Sequence, residues 1–406
     1  MAIADPVSKS VRIKKESAWG TAAGTSGGQV LRRVSSDIDL RKQTYESSEI
    51  RTDYQVADFR HGVRSVEGRI SGELSPLTYE MIMVAATRKA WAATSAITGL
   101  SITIAASGSY YTITRGAGDF MASGVKIGDV VRLTAGTFTA GNLNNNLVVV
   151  DIPSAAVLKV STLNGSSLTA EGPIASATVS VTGKKTWVPT SSHTDDSFTI
   201  EHWFSDITQS EVFTGCKVQS LAVSLPPSGM ATIDAAFMGK DITTGTTAYF
   251  TGPTAITSSG VLAAVNGILR YGTGKVANIT GLNFTIDGGM SAQPVVGSNV
   301  YPDIFAGMVR VSGQFSAFFE DATYRDAFLN ETEGSLTAVL STGFTGTADF
   351  VGFTFPRVKL GGASKSDGGT GGIVLTVPFT ALYNSAGGTS TSSEQTTMVI
   401  QDSLAP

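Results

Sequence analysis

The sequence predicts a mainly β protein: two tandem copies of one β-sandwich or half-barrel with a flanking helix, plus a small all-β domain inserted into the first copy. Three observations carry that prediction. Short apolar runs alternate with turn residues along all 406 residues, 45 of which are Gly. A segment repeats, because "VEGRISGELSPLTY" (Val66 to Tyr79) shares five ungapped positions with "VSGQFSAFFEDATY" (Val311 to Tyr324). The texture of the chain also changes between about Ala93 and Lys185, where strand-like runs follow one another closely.

The repeat extends in both directions. At the same offset of 245, Asp58 meets Asp303 and Gly62 meets Gly307, making seven identities in 22 positions. Downstream, "SFTIEHWF" (Ser197 to Phe204) resembles "SLTAVLST" (Ser335 to Thr342) at an offset of 138, and "GMATIDAAFM" (Gly229 to Met238) resembles "GGIVLTVPFT" (Gly371 to Thr380) at 142. Elements in the same order on both sides of a gap point to an ancestral duplication, with 107 extra residues in the first copy between Tyr79 and Ser197.

Within those extra residues, "LSITIAASGSYYTIT", "VVRLTA", "LVVVDI", "VLKVST" and "ATVSVTG" read as strands by alternation and β-branching. "NLNNN" reads as a loop, and Gly128-Asp129 suits a tight turn. Both ends are strand-like, as expected of a domain inserted at a surface loop. The expected organisation is therefore 1–92 with 189–245, an inserted domain over 93–188, and a second copy over 246–406.

Each copy carries one helix. In the first, Ser75 is the expected N-cap and Pro76 the first helical residue, with Leu77, Met81, Ile82, Val84 and Ala85 forming the apolar face. In the second, "EDATYRDAFLNE" plays the same part with Tyr324, Ala327 and Phe328 inward. Helices this short need a sheet to pack on.

Composition excludes several function classes. Charged residues are only 15% of the chain, which suggests that much of the surface meets other protein. A net charge of −4 argues against a general nucleic-acid binder, though not against a channel through which nucleic acid passes. The single Cys216 forms no intrachain disulfide and reads as a small buried residue. "MAIADPVSKSVRIKK" has no signal-type apolar core, and Met81 to Ala86 is far too short to span a bilayer, so a soluble protein kept in a cytoplasm is expected.

Catalytic patterns are weak. His193, Asp195, Asp196, Glu201 and His202 crowd into "HTDDSFTIEHWF", but the spacing matches no familiar Zn or Ca pattern, and the plain reading is a loop entering a half-exposed strand. "GGASKSDGGTGG" (Gly361 to Gly372) lacks the order of a phosphate loop and reads as a mobile hairpin loop. No nucleophile elbow is present, and His61 also lies outside any nucleophile context. No enzyme activity, cofactor or metal is expected.

One segment stands out in charge. Between Arg41 and Arg64 lie five basic residues (Arg41, Lys42, Arg51, Arg60, Arg64) and four acidic ones (Glu46, Glu49, Asp53, Asp58), more than twice the chain's average density. Alternating signs favour pairing with a complementary surface, and Tyr45, Tyr54 and Phe59 are candidate anchors.

"KKESAWGTAAG", "YESSEIRTDYQVADFRHGVRSVEGRISGEL" and "PLTYEMIMVAA" resemble the tail tube (major tail) proteins of long-tailed bacteriophages, most strongly over residues 11–92 and by order of elements over 189–385. The resemblance implies packed antiparallel sheets, rings stacked into a hollow conduit for the genome, and a long loop that reaches the neighbouring ring. Carried onto this chain, the inter-ring contacts fall on Arg41, Glu46, Glu49, Arg51, Asp53 and Tyr54. It implies N- and C-terminal arms that join subunits. The Gly/Ser/Thr content of the Gly361 to Gly372 loop and of the tail after Asn384 suggests that both order only on assembly. It also implies partners: other copies of the chain, a tape-measure protein, tail terminator and tip proteins, and phage DNA in transit without specific binding or membrane insertion. Such tubes show six equivalent folds per ring, so two copies per chain call for trimeric rings with pseudo-sixfold symmetry. The inserted domain is then expected on the outside and dispensable for assembly. The alternative reading is a tail-associated adhesin whose inserted domain holds a receptor.

Overall fold

Alternating apolar residues make the strands, and their registers pair them in two parallel series. The computed structural model describes residues 3–276, 278–366, 368 and 371–406. The first series comprises β1 (Lys9–Lys15), β2 (Asp39–Glu46), β3 (Phe59–Glu73), β4 (Phe198–Phe204), β5 (Gln209–Leu225) and β6 (Thr232–Gly239). The second comprises β7 (Gly267–Tyr271), β8 (Ile279–Asp287), β9 (Arg310–Phe318), β10 (Gly334–Ser341), β11 (Phe350–Leu360) and β12 (Val374–Ala381). A last strand, β13 (Val399–Asp402), follows. Helix α1 (Glu80–Thr87) comes after β3 and packs on β5, and α2 (Thr323–Leu329) comes after β9 and packs on β11.

The two series pair antiparallel in the same order and nearly the same register. Gly68 of β3 faces Phe237 of β6, and Gly313 of β9 faces Phe379 of β12, so offsets of 245 and 142 convert one register into the other. Leu40 faces Val66 as Ile286 faces Val311, and Ile13 faces Ile200 as Leu269 faces Ala338. The matching glycines have a steric cause. A Cβ on Gly68 would strike the Ile38 backbone, and one on Gly313 the Asn283 carbonyl and Phe284.

β5 serves two layers. Its start pairs with β4, and its end pairs with β6 and β8. The change of layer follows a bulge in which Thr214 and Gly215 stand opposite Thr199, with Gly215 at φ 66°. β11 likewise pairs first with β10 and later with β12. One apolar core runs through both series, from Val11 and Ile13 to Phe353, Phe355 and Ile400.

Between α1 and β4 the chain forms a closed six-stranded barrel over Ile97–Val181 with its own core of Ile102, Ile113, Val131, Leu147 and Leu158. The barrel is not a free appendage. Val130, Val148 and Leu163 of the barrel bury themselves against Val339 and Phe350 of the second series. Lys126 donates to the carbonyls of Gly388, Thr389 and Thr391 at 2.7–2.8 Å. The Gln401 side chain bonds the backbone of Val130 and Thr182.

Four expectations change. First, α1 starts at Glu80, five residues after Ser75, because Leu77 adopts φ 68° and its N–H is taken by the Asp402 carboxylate at 2.8 Å. Second, Phe328 lies on the exposed side of α2, where only Ala327 is buried. Third, the tail after Asn384 is ordered within the single chain: β13 pairs with β11 and with Lys184–Trp187, and Met398 and Ile400 are fully buried. The Gly/Ser/Thr content hid the apolar Met398–Ile400 run. Fourth, Gly361 to Gly372 is not all loop, since Ser364–Ser366 pairs with β12. Residues 367, 369 and 370 of that segment lie outside the described residues.

Candidate assembly surfaces

The acidic and histidine residues near β4 are not gathered at a site: Glu201 and His202 are buried on β4, while His193 and Asp195 are exposed in the loop before it. Asp195 pairs with the buried Lys217 at 2.7 Å, Asp196 with Lys15 at 2.7 Å, and Glu201 with Arg12 at 3.1 Å. His202 bonds the Ser36 hydroxyl at 2.8 Å, and burial pulls its pKa down. β4 is covered on both faces, so Glu201 and His202 are both buried and the expected half-exposed strand is corrected. Among the described residues no group of three or more His, Cys, Asp or Glu is placed to hold a metal. Cys216 is buried, and desolvation pushes its thiol well up.

The "KKESAWGTAAG" motif has a mechanical role that sequence reasoning missed. Glu16 is buried and accepts from the Gly215 N–H at 2.8 Å, from the Gly20 N–H, and from the hydroxyls of Ser197 and Thr199. Trp19 donates its indole N–H to the Gly215 carbonyl at 3.2 Å. Together they hold the bulge that turns β5 from one layer to the other. A charged residue followed three places later by Trp was the only signal for this.

Two surfaces remain unpartnered. One is the β2–β3 hairpin, whose tip spans 47–58. Arg41 and Glu46 lie on β2, while Glu49, Arg51, Asp53 and Tyr54 lie on the tip. Part of the tip's charge is satisfied locally, though the Glu49 carboxylate stays exposed. Arg51 grips Asp53 with two bonds at 2.7 and 3.0 Å, which holds that carboxyl below its usual range, and Arg60 bonds Asp58 at 2.8 Å. Beside these charges the tip offers apolar side chains outward: Ile50 and Val56 are exposed, and Tyr54 is 98% exposed. The β8–β9 connection lies beside the hairpin base, where the Arg64 N–H bonds the Asn299 carbonyl at 2.9 Å. It exposes Val295, Val296, Phe305 and Met308.

The other surface is a pair of strand edges. Inside the chain, the end of β5 pairs with β8, placing Ser220 opposite Asp287 and Leu225 opposite Leu282. The strands in the corresponding positions are Ser364–Ser366, after β11, and β2. Each pairs on one side only among the described residues: Ser364–Ser366 with β12, and β2 with β3. Bare edges of this kind invite another chain to add to the sheet.

A β scaffold with exposed apolar loop tips and open sheet edges belongs to the class of structural proteins that associate through their surfaces. The family model described as phage tail tube protein matches residues 8–381, and the chain belongs to that family. The comparison with curated proteins finds no match. The protein is thus a structural subunit of a bacteriophage tail tube, a virion component that assembles with itself and with other tail parts. Among the described residues no helix is long and apolar enough to cross a membrane.

Proposed function

We propose that three chains close each ring of the tube, and that the chain is a duplicated fold whose internal junction repeats between subunits. The observation that carries this reading is the β5–β8 pairing, where, among the described residues, the first series joins the second through a ladder. Its counterparts are the two bare edges, which lie at opposite ends of the same sheet. Transferring the internal register with the observed offsets sets Ser364 of one chain opposite Asp39 of the next, and Gly362 opposite Arg41. Six sheet segments per ring then meet at three internal and three external junctions, giving pseudo-sixfold symmetry.

In this ring the sheet β2-β3-β6-β5-β8-β9-β12 faces the channel on its solvated side. That side carries small hydroxyl or amide residues such as Ser220, Ser224, Asn283, Thr285, Ser312 and Gln314. Its charges are few: Arg69 pairs with Asp234 at 2.7 Å, and Glu67 and Asp287 add negative charge against Arg310. A weakly charged wall lets phosphate slide without capture. The reading extends to genome passage, to a tape-measure protein inside the channel and to terminator and tip proteins at its ends. The barrel then stands on the outside, and the hairpin tip reaches the next ring through Ile50, Tyr54 and Val56.

The double variant Asp39→Cys with Ser364→Cys tests the ring. Cys216 is buried and does not compete. Oxidised tubes are expected to run as covalent trimers on a denaturing gel. Covalent hexamers, or no crosslink in tubes that still form, would overturn the trimeric closure.

A further inference from the structure

The buried cations of this chain are satisfied with one exception. Lys185 has Asp129 and Glu394, Lys217 has Asp195 and Asp303, Arg88 has the carbonyls of Gly288 and Gly307, and Lys126 has carbonyls from the tail. Arg270 is only 4% exposed and has no such set. Among the described residues its guanidinium makes one hydrogen bond, from Nη1 to the Tyr110 hydroxyl at 3.2 Å, and its Nε is buried without a partner. A desolvated guanidinium without a carboxylate is unfavourable, so the position calls for an anion from outside the chain.

Arg270 lines a cleft of about 470 Å³ between the barrel and the second series. Lys275 adds a second cation to its wall, and among the described residues no Asp or Glu lines it. The Arg270 guanidinium lies over the Tyr110 ring, 5.1 Å from its centre, and Tyr110 is held by the Thr273 carbonyl at 2.8 Å. The rest of the wall is hydroxyls and amides, among them Ser161, Asn164, Ser166 and Asn266, with Tyr111 and Phe344 as flat faces. The Asn266 Oδ1 is buried and unpartnered, an acceptor in a wall that otherwise offers cations and hydroxyls.

We propose that this cleft binds an acidic saccharide, with the carboxylate or phosphate on Arg270 and Lys275 and the sugar hydroxyls on Asn266 and the Ser/Asn rim. A site with two cations and no acid selects an anion. Flat aromatic faces beside many small hydroxyls suit a polyhydroxylated ring rather than a lipid tail, and the volume takes a short oligosaccharide. The cleft is lined by β7, in the layer opposite β8 and β9. It therefore opens away from the channel of the proposed ring, where sugars of a cell envelope are met. Only this access rests on the ring, since the binding chemistry belongs to the free chain.

The test is calorimetry and thermal shift on the full chain with an oligogalacturonate, a hexose phosphate, a neutral oligogalactoside and inorganic phosphate. An acidic sugar is expected to bind at least about tenfold more tightly than the neutral one. Arg270→Met is expected to abolish that binding while leaving Tm unchanged or raised, because it removes an unpaired buried charge. Lys275→Glu, at an exposed position, is expected to abolish it without touching the fold. Assembled tubes are expected to bind as the free chain does. Lack of binding by either acidic sugar at millimolar concentration would overturn the proposal. So would inorganic phosphate binding as tightly as the sugars, which marks a plain anion site, or binding by the free chain but not by tubes, which marks a cleft filled by a neighbouring copy.

Discussion

β2 and β8 pair with their neighbours in equivalent register, yet one is exposed nearly throughout and the other is half buried. In β8, Leu282, Phe284 and Ile286 face the core, and β5 covers the outer edge. In the first series the equivalent apolar positions are Ile38 and Leu40, after which the strand runs on as a polar hairpin with no cover on its outer edge. The same contrast holds at the other end of the sheet. The outer edge of β5 meets β8, while the outer edge of Ser364–Ser366 meets no strand among the described residues. In the proposed ring, each bare edge is where a neighbouring chain adds its strand. The second series is covered in another way as well: the barrel packs on Val339 and Phe350, and β13 pairs along β11 as Asp241–Gly245 pairs along β5 in the first.

That cover can be broken first. Truncation after Thr396 removes Met398, Ile400 and β13 and strips the ladder from both β11 and Lys184–Trp187, so loss of the cooperative unfolding transition is expected in urea. A tail that served only as an arm between subunits would leave the transition intact. Deleting Ala93 to Lys185 is expected to fail similarly, by exposing Val339 and Phe350 and removing the Lys185 ammonium. Lys185→Ala strands Asp129 and Glu394, which otherwise hold that ammonium above its usual range against the pull of burial. Breaking a buried pair of this type costs about 3–5 kcal/mol, readable by denaturation.

Next comes a pH effect on the same face. Burial pushes Asp402 up from 3.8 to about 6. The folded chain therefore favours the protonated form, and that contribution is complete below the unfolded pKa and lost as pH rises through about 6. Relative to Asp402→Asn, the protein is expected to lose about 2–3 kcal/mol between roughly pH 4 and pH 7. A flat difference across that range would refute the assignment.

The two series can then be compared directly through Gly68→Ala and Gly313→Ala. Both put a Cβ into backbone across the strand, so each is expected to cost about 1–3 kcal/mol, with Gly68→Ala the costlier because Gly68 also sits at φ 151°. A larger cost at Gly313 would mean that the paired registers hide unequal packing. The smallest effect on the monomer is the most telling for assembly. Ile50→Asp sits on an exposed tip and is expected to change stability by less than about 0.5 kcal/mol. Electron microscopy is nevertheless expected to find no long tubes, and undiminished tubes would remove the tip from the ring-to-ring contact.

The repeat at Val66 and Val311 was legible because a glycine facing a phenylalanine across two strands constrains residue identity at both positions. The barrel was legible from the alternation in "LSITIAASGSYYTIT" and "LVVVDI". The charged hairpin was legible as a surface, but its chemistry was not. Spacing alone does not say that Arg51 spends its charge on Asp53, or that Ile50 and Tyr54 are what remain exposed. The Arg270 cleft left no sequence signal, since Tyr110 and Arg270 are 160 residues apart and meet only through packing of the barrel.

By itself, then, the sequence determined the β class and the likeness to tail tube proteins. These follow from local alternation, turn residues and the repeated side chains that strand pairing requires. Tertiary structure alone decided where α1 begins, that the tail belongs to the core, which charges pair, and which edges stay bare. Each of these depends on groups distant in the chain, such as Asp402 on Leu77, Glu16 on Gly215 and Lys217 on Asp303. The energy that selects such contacts comes from burial and hydrogen bonding that exist only once the sheets have closed.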